Sequence, residues 1–198
     1  MSTEAARHAA GETSAGRVRE HNEDSAYVGR FLYAVADGLG GHAGGEFASA
    51  AVIDALCSSD GLVPVAELAE KLGRAIDAAN SRLLREVERR PDLAGMGTTL
   101  TALLWSGDRV LVAHIGDSRA YLLREGRLRQ ITEDHALGHL VAGLDESGHL
   151  APLIARYLDG KPDRSPDLTV RDSLVRADRF GLVGCAGSGR QGGVGQVQ

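Results

Sequence analysis

The stretch Ala34-Val35-Ala36-Asp37-Gly38-Leu39-Gly40-Gly41-His42-Ala43-Gly44-Gly45-Glu46 constrains this chain more than any other. Phe31 to Ala36 is a run of aromatic, aliphatic and β-branched residues, the pattern of a short buried strand. It stops at an acid and passes into glycines. A carboxylate is thereby fixed at a strand end, and Gly38, Gly40, Gly41, Gly44 and Gly45 remove the side chains that would hold a ligand off the backbone. Such a segment can turn the chain into a helix, cradle an anion, or begin a cation site. The last follows because Mg²⁺ and Mn²⁺ favour carboxylate, carbonyl and water oxygens, which Asp37 and the Gly38 carbonyl supply. A nucleotide-binding glycine loop is disfavoured, since no Gly-Lys-Ser/Thr follows the glycines.

Upstream, Gly16 to Val28 gathers many polar groups. One reading is a solvated loop between strands. The other is a site for phosphate and metal, with Arg19 gripping phosphate oxygens through its planar fork while Glu23 and Asp24 face cations.

Downstream, small and aliphatic residues recur at helical spacing from Gly45 to Ser58, so a helix starts from the glycine loop. A second, long helix begins at Pro64 and carries the stripe Val65, Leu68, Leu72, Ile76, Ala79, Leu83 and Val87 before Pro91 ends it. Gly97–Trp105, Val110–Ile115, Ser118–Leu123 and Leu128–Thr132 then read as strands of an antiparallel meander. Asp117 stands at a tight corner of it, where a turn aspartate is the ordinary reading. Helices followed by hairpins, without βαβ alternation, predict a layered α+β fold. Pro152–Tyr157 reads as a short helix and Gly160–Pro166 as a loop. After Phe180 the chain is glycine-rich and poor in large apolar residues, which predicts an unpacked tail. The expected organisation is a flexible terminus over 1–10, one domain over 11–180 and a disordered tail over 181–198.

A chain of 198 residues with 43% apolar content can bury a real core without disulfide staples. Its net charge of -5 does not suggest a nucleic-acid footprint, which would need basic residues clustered on a face. Cys57 and Cys185 lack the spacing of a zinc site or a disulfide framework, so a reducing cytosol is the default. No secretory apolar run occurs before Glu23, and no apolar stretch approaches the ~20 residues that span a bilayer. A cytoplasmic monomer without membrane contact is the expectation.

Four segments in order, Arg19-x-x-Asn22-Glu23-Asp24, Val35 to Glu46, Gly95-Met96-Gly97-Thr98-Thr99 and Ala113 to Tyr121, carry a family resemblance. Together they resemble the metal-dependent Ser/Thr protein phosphatases of the PP2C type in their bacterial form, closely to His135 and loosely to Phe180. The resemblance implies a four-layer α-β-β-α sandwich of two antiparallel sheets. It implies two or three Mn²⁺ or Mg²⁺ ions, with Asp37 bridging two of them, the Gly38 carbonyl completing one sphere, and Glu23 and Asp24 supporting the metals and their waters. It makes Asp117 an auxiliary ligand and Arg19 the holder of substrate phosphate. The catalytic set so implied is Asp37, Arg19 and Glu23. Two metals about 3.5 to 4 Å apart would activate a shared water, so that no protein nucleophile is needed. The implied partners are proteins phosphorylated on Ser or Thr by a Ser/Thr kinase.

Two departures bear on activity. Leu39 stands where eukaryotic members carry a histidine after Asp-Gly, and the role of His42 does not transfer, which leaves the leaving-group acid unassigned. The family also continues into a strand ending in Ser-Asp-Gly and a later Asp-Asn, each supplying a ligand. Here Gly181-Leu182-Val183-Gly184-Cys185-Ala186-Gly187 follows Phe180 instead. A frameshift or truncation near Phe180 is the expected cause, and weak metal binding with little turnover the expected consequence. A remnant that binds phosphoproteins or a kinase without turnover is the competing reading.

Overall fold

The computed structural model describes residues 8–15, 21–40, 42–136, 154–172, 179–184 and 194–197. The chain begins with a short strand β1 (Ala9–Ala10), then β2 (Asp24–Val28) and β3 (Leu32–Leu39). Helix α1 (His42–Cys57) follows, and a 3₁₀ turn at Val65–Glu67 leads into α2 (Leu68–Arg89). The rest is β4 (Gly97–Thr98), β5 (Leu100–Ser106), β6 (Arg109–Ile115), β7 (Arg119–Arg124), β8 (Arg127–Gln130), β9 (Asp167–Asp172), β10 (Arg179–Val183) and β11 (Val194–Val197).

These strands form two antiparallel sheets. One runs β2-β3-β5-β6-β9, with β4 attached to β3; the other runs β1-β11-β10-β7-β8. The central strands of the first sheet are apolar on both faces because both are covered. Leu32, Ala34, Ala36, Leu100, Ala102, Leu104, Leu111, Ala113 and Ile115 pack with the helices. Tyr33, Leu103, Trp105, Val110 and Val112 meet Ala120, Leu122, Phe180 and Leu182 of the second sheet. Trp105 sits edge-on between Tyr33 and Phe180, with ring centroids at 5.2 and 5.3 Å. From α2 the residues Leu68, Leu72, Ile76, Ala79 and Leu83 enter the core, each large aliphatic contributing about 1.5–3 kcal/mol by burial. The α+β architecture of two antiparallel sheets with helices outside agrees with the sequence. Among the described residues both α-helices cover the first sheet, giving three of the four expected layers.

Several expectations are corrected. The polar segment before Val28 is not all loop, because Asp24–Val28 pairs along its whole length with β3. The meander is divided between sheets: β5 and β6 pair in one, β7 and β8 in the other, and the chain changes sheet at Gly116–Ser118. Gly116 takes φ +116° there, and a Cβ would strike Thr99. Ile154–Tyr157 is not helical. Ile154 bridges Ala136 and Leu158 bridges Thr98, since Thr98 and Leu158 exchange backbone bonds of 2.9 Å each way.

Past Phe180 the chain still pairs. Arg179–Val183 joins β7, with Phe180 and Leu182 buried by two-residue alternation, and β11 lies between β10 and β1. The glycine content that suggested an unpacked tail is offset by this alternation. The loose terminus expected over 1–10 is corrected at its end, where Ala9 and Ala10 pair with β11, while residues 1–7 and the remainder of the tail lie outside the described residues.

Candidate metal and phosphate site

β3 sends alternate residues to opposite faces, so Tyr33, Val35 and Asp37 share the face toward the second sheet. Asp37 is 3% exposed, a carboxylate carried at the end of a buried apolar row. Its main chain is fastened on the β4 side. Thr99 N–H and Thr98 Oγ1 donate to the Asp37 carbonyl, both at 2.9 Å, and Asp37 N–H donates to Thr99 Oγ1 at 3.0 Å.

On its other side Asp37 stands directly across from Asp24. Gly38 N–H donates to the Glu23 carbonyl at 3.1 Å, so the adjoining 24–37 pair is a non-hydrogen-bonded one. In such a pair the Cβ atoms are about 4.5–5.5 Å apart and the side chains share a face. Two adjacent carboxylates on a partly dry face repel, and a divalent cation between them removes the repulsion. Asp24 is held from the other side, where its N–H donates to Asn22 Oδ1 at 3.1 Å.

Glu23 is turned differently. Its side-chain carboxylate lies against Gly45 in the first turns of α1, where a Cβ would collide with Oε2, so it sits on the helix side of the sheet. Gly38 faces the same crowding: a Cβ there would meet the Gly45 carbonyl and, at 2.7 Å, that of Glu23. These contacts require glycine at both positions, which brings the helix N-terminus against the strand end.

Asp117 lies at the corner between the sheets. Burial raises its carboxyl above the usual range, and Asp134 adds to the effect. The corner is held by His135, whose N–H donates to the Gly116 carbonyl at 2.7 Å while Gly116 N–H donates to His135 Nδ1 at 3.1 Å. Its Nε2 lies 3.0 Å from both Asp167 Oδ2 and Arg156 Nη1, and Arg156 Nη2 donates to Asp167 Oδ1 at 3.1 Å. Arg119 grips Asp134 through Nε at 2.9 and 3.0 Å. A chain of hydroxyls joins this corner to Asp37: Thr99 Oγ1 lies 2.7 Å from Ser118 Oγ, and Thr101 Oγ1 donates to the Ser118 carbonyl at 2.9 Å.

The structure therefore brings Asp24 and Asp37 side by side, sets the Gly38 backbone beside them, and ties the Asp117 corner to Asp37 through Thr99. Glu23 is adjacent but faces the helix. Among the described residues no three acids, histidines or cysteines are close enough to share one ion. Arg19 lies outside the described residues, as do His139 and His149. The sequence reading missed Thr99, Ser118 and His135 as supports, because hydroxyls in a β-branched run read simply as strand residues. β10 delivers Gly184 to this place: a Cβ on it would be 3.8 Å from the Asp24 carboxylate, with no closer neighbour.

Residues 13–141 match the protein phosphatase 2C family. The chain belongs to that family. This PP2C chain is 46% identical over 181 residues to the serine/threonine protein phosphatase PstP of Mycobacterium tuberculosis, covering 86% of itself and 34% of that protein. It is 40% identical over 141 residues to the serine/threonine phosphatase stp of Listeria monocytogenes, covering 67% of itself and 56% of the relative. The chain thus spans from a third to about half of the curated relatives it matches. Among solved structures, the catalytic domain of PstP in complex with two manganese ions superposes with a TM-score of 0.79 at 46% identity, over 89% of this chain and 76% of that one. Another crystal structure of the M. tuberculosis phosphatase gives 0.81 at 44% identity over 90% and 78%. The PP2C fold is therefore shared well beyond the family match.

Proposed function

We propose that this PP2C chain serves a metal-dependent protein Ser/Thr phosphatase, with Mn²⁺ or Mg²⁺ held at Asp37, Asp24 and the Gly38 carbonyl. The observation that carries the reading is the Asp24–Asp37 pair, two facing carboxylates at the end of a buried strand. Their charge and hard oxygens suit a divalent cation and no common anion. Bound there, such ions supply an activated water and stabilise charge on phosphoryl oxygens.

The chain's own residues do the rest. Thr98 and Thr99 fix the Asp37 backbone so that its carboxylate meets a ligand without reorganising. Glu23 supports the site from the helix side, and Asp117 acts as an auxiliary acid at the sheet-changing corner. Arg19 supplies the cation that grips the phosphate monoester, which carries nearly two negative charges. The substrates are phosphoserine and phosphothreonine proteins made by a Ser/Thr kinase, acted on by a monomer in the cytoplasm. No helix among the described residues is long and apolar enough to cross a membrane.

Hydrolysis of p-nitrophenyl phosphate and of a phosphothreonine peptide, with and without Mn²⁺, tests the reading on wild type and Asp37→Ala. Metal-dependent turnover lost in the variant is expected. Equal rates for the two proteins would remove the enzyme reading.

A further inference from the structure

We propose that the exposed edge of β8 is a docking strip for an extended acidic segment of a partner protein, which adds to the second sheet as a further strand. All four residues of β8 are exposed, and among the described residues β8 pairs with β7 alone. Its outward row of N–H and C=O groups is a template for another backbone. This surface is separate from the acidic pair, and the proposal does not depend on hydrolysis.

The side chains define the partner. Alternation along β8 puts Arg127 and Arg129 on one face and Leu128 with Gln130 on the other. Register sets Arg124 directly opposite Arg127 on the same face, while Arg179, opposite Leu123, lies on the face of Leu128. Like charges directly opposed weaken a hairpin, so this arrangement does not serve the stability of β7 and β8. Of the nearby acids, Asp172 pairs with Arg109 and Asp134 with Arg119, while Glu125 stands at the turn, off the line of the outer edge. Neither Arg127 nor Arg129 has a carboxylate partner among the described residues.

On a chain of net charge -5 this is a local cationic strip, with Leu128 68% exposed in its middle. Charges alone would suffice to guard a sheet edge against self-association, but a large exposed leucine between them works against that purpose. An added strand presents a side chain to a given face every ~6.6–6.8 Å. The fitting segment therefore has an acid at every second position, over the arginines, and an apolar residue between, beside Leu128. A phosphodiester backbone or a lipid surface meets the charge but not the row of peptide groups, which favours a protein segment.

The test uses a fluorescent peptide of about ten residues with Glu at every second position and Val between, long enough for one strand. Anisotropy titration of the full chain should show binding that weakens about tenfold in the R127E/R129E variant. Binding should weaken similarly when alternate peptide nitrogens are methylated, and should be unchanged by Arg74→Glu on the exposed face of α2. The neutral R127Q/R129Q variant, with circular dichroism to confirm folding, guards against misfolding of the charge reversal. Absence of binding would overturn the proposal, as would equal binding of the methylated peptide. Tighter binding of an oligo(dT) strand or of phosphatidylserine vesicles than of the peptide would also overturn it, in favour of a nucleic-acid or membrane surface.

Discussion

Asp37 and Thr99 are joined twice, by Thr99 N–H to the Asp37 carbonyl at 2.9 Å and by Asp37 N–H to Thr99 Oγ1 at 3.0 Å. The second bond leaves Thr99 Oγ1 2.7 Å from Ser118 Oγ, so one hydroxyl connects the acid on the first sheet to the corner that carries Asp117. Removing that hydroxyl without changing volume leaves a buried N–H unsatisfied, at a cost of about 1–3 kcal/mol. Thr99→Val should lower stability by that amount in urea denaturation and weaken Mn²⁺ binding in calorimetry. Thr99→Ser should recover most of both. Unchanged Mn²⁺ binding in the valine variant would show that the link does not position Asp37.

The end of β10 offers a place for another ligand. Position 184 is open toward Asp24, its φ lies outside the left-handed region, and a Cβ there makes only ordinary contacts. A carboxylate introduced by Gly184→Asp would join Asp24 and Asp37, adding charge that offsets dehydration of the cation. Mn²⁺ affinity should rise about tenfold by calorimetry, with Gly184→Asn giving a smaller gain, as ligand charge tunes affinity in oxygen sites. An unaltered affinity in the aspartate variant would place the ion away from Asp24.

Asp60 holds the turn between β2 and β3 to the end of α1. Its carboxylate accepts from Arg30, Phe31 and Leu32 N–H, at 2.9, 2.7 and 3.0 Å, and from Tyr27 Oη–H at 3.0 Å. Burial pushes its carboxyl up, yet these donors together outweigh burial and hold it below the usual range. A depressed folded pKa means that the contribution is present above the unfolded value, near 3.9, and is lost as pH falls through the folded value. Asp60→Ala should cost about 2 kcal/mol at neutral pH, by the loss of several charge-assisted bonds. Its stability should also fall less steeply than wild type below about pH 4. Parallel acid limbs for the two proteins would contradict this account.

His114 works in the opposite sense. It is 3% exposed, and burial, followed by the neighbouring His135, lowers its pKa to about 4. The neutral ring donates from Nε2 to the Glu133 carbonyl at 2.9 Å, and Nδ1 lies 3.0 Å from Thr101 Oγ1. The unfolded chain binds a proton near pH 6.5 that the folded chain refuses, so stability declines as pH falls from about 6.5 to about 4 and no further from this source. The full effect is about 3 kcal/mol. Denaturant midpoints measured across that window should be nearly flat for His114→Phe once the ordinary carboxylates are allowed for. A wild-type slope retained in the variant would assign the decline to other groups.

The strand that carries Asp37, the helix after it, the apolar stripe of α2 and the α+β class were legible in the sequence, although β3 runs on to Leu39 and α1 takes in Gly44 and Gly45. Each depends on contacts within a few residues or on a repeat that records burial. Pairing across distance was not legible. Periodicity shows that Val110–Ile115 and Ser118–Leu123 are strands, but only packing decides that they belong to different sheets with Trp105, Tyr33 and Phe180 between them. It shows neither that Asp24 faces Asp37 while Glu23 turns to the helix, nor that Asp60 closes the turn thirty residues before it. Nor could the glycines after Phe180 reveal that Phe180 and Leu182 still find a buried face. Residues distant in sequence are placed by shape and hydrogen bonding in three dimensions, and the register that sets two carboxylates side by side is fixed by the strands, not by the acids themselves.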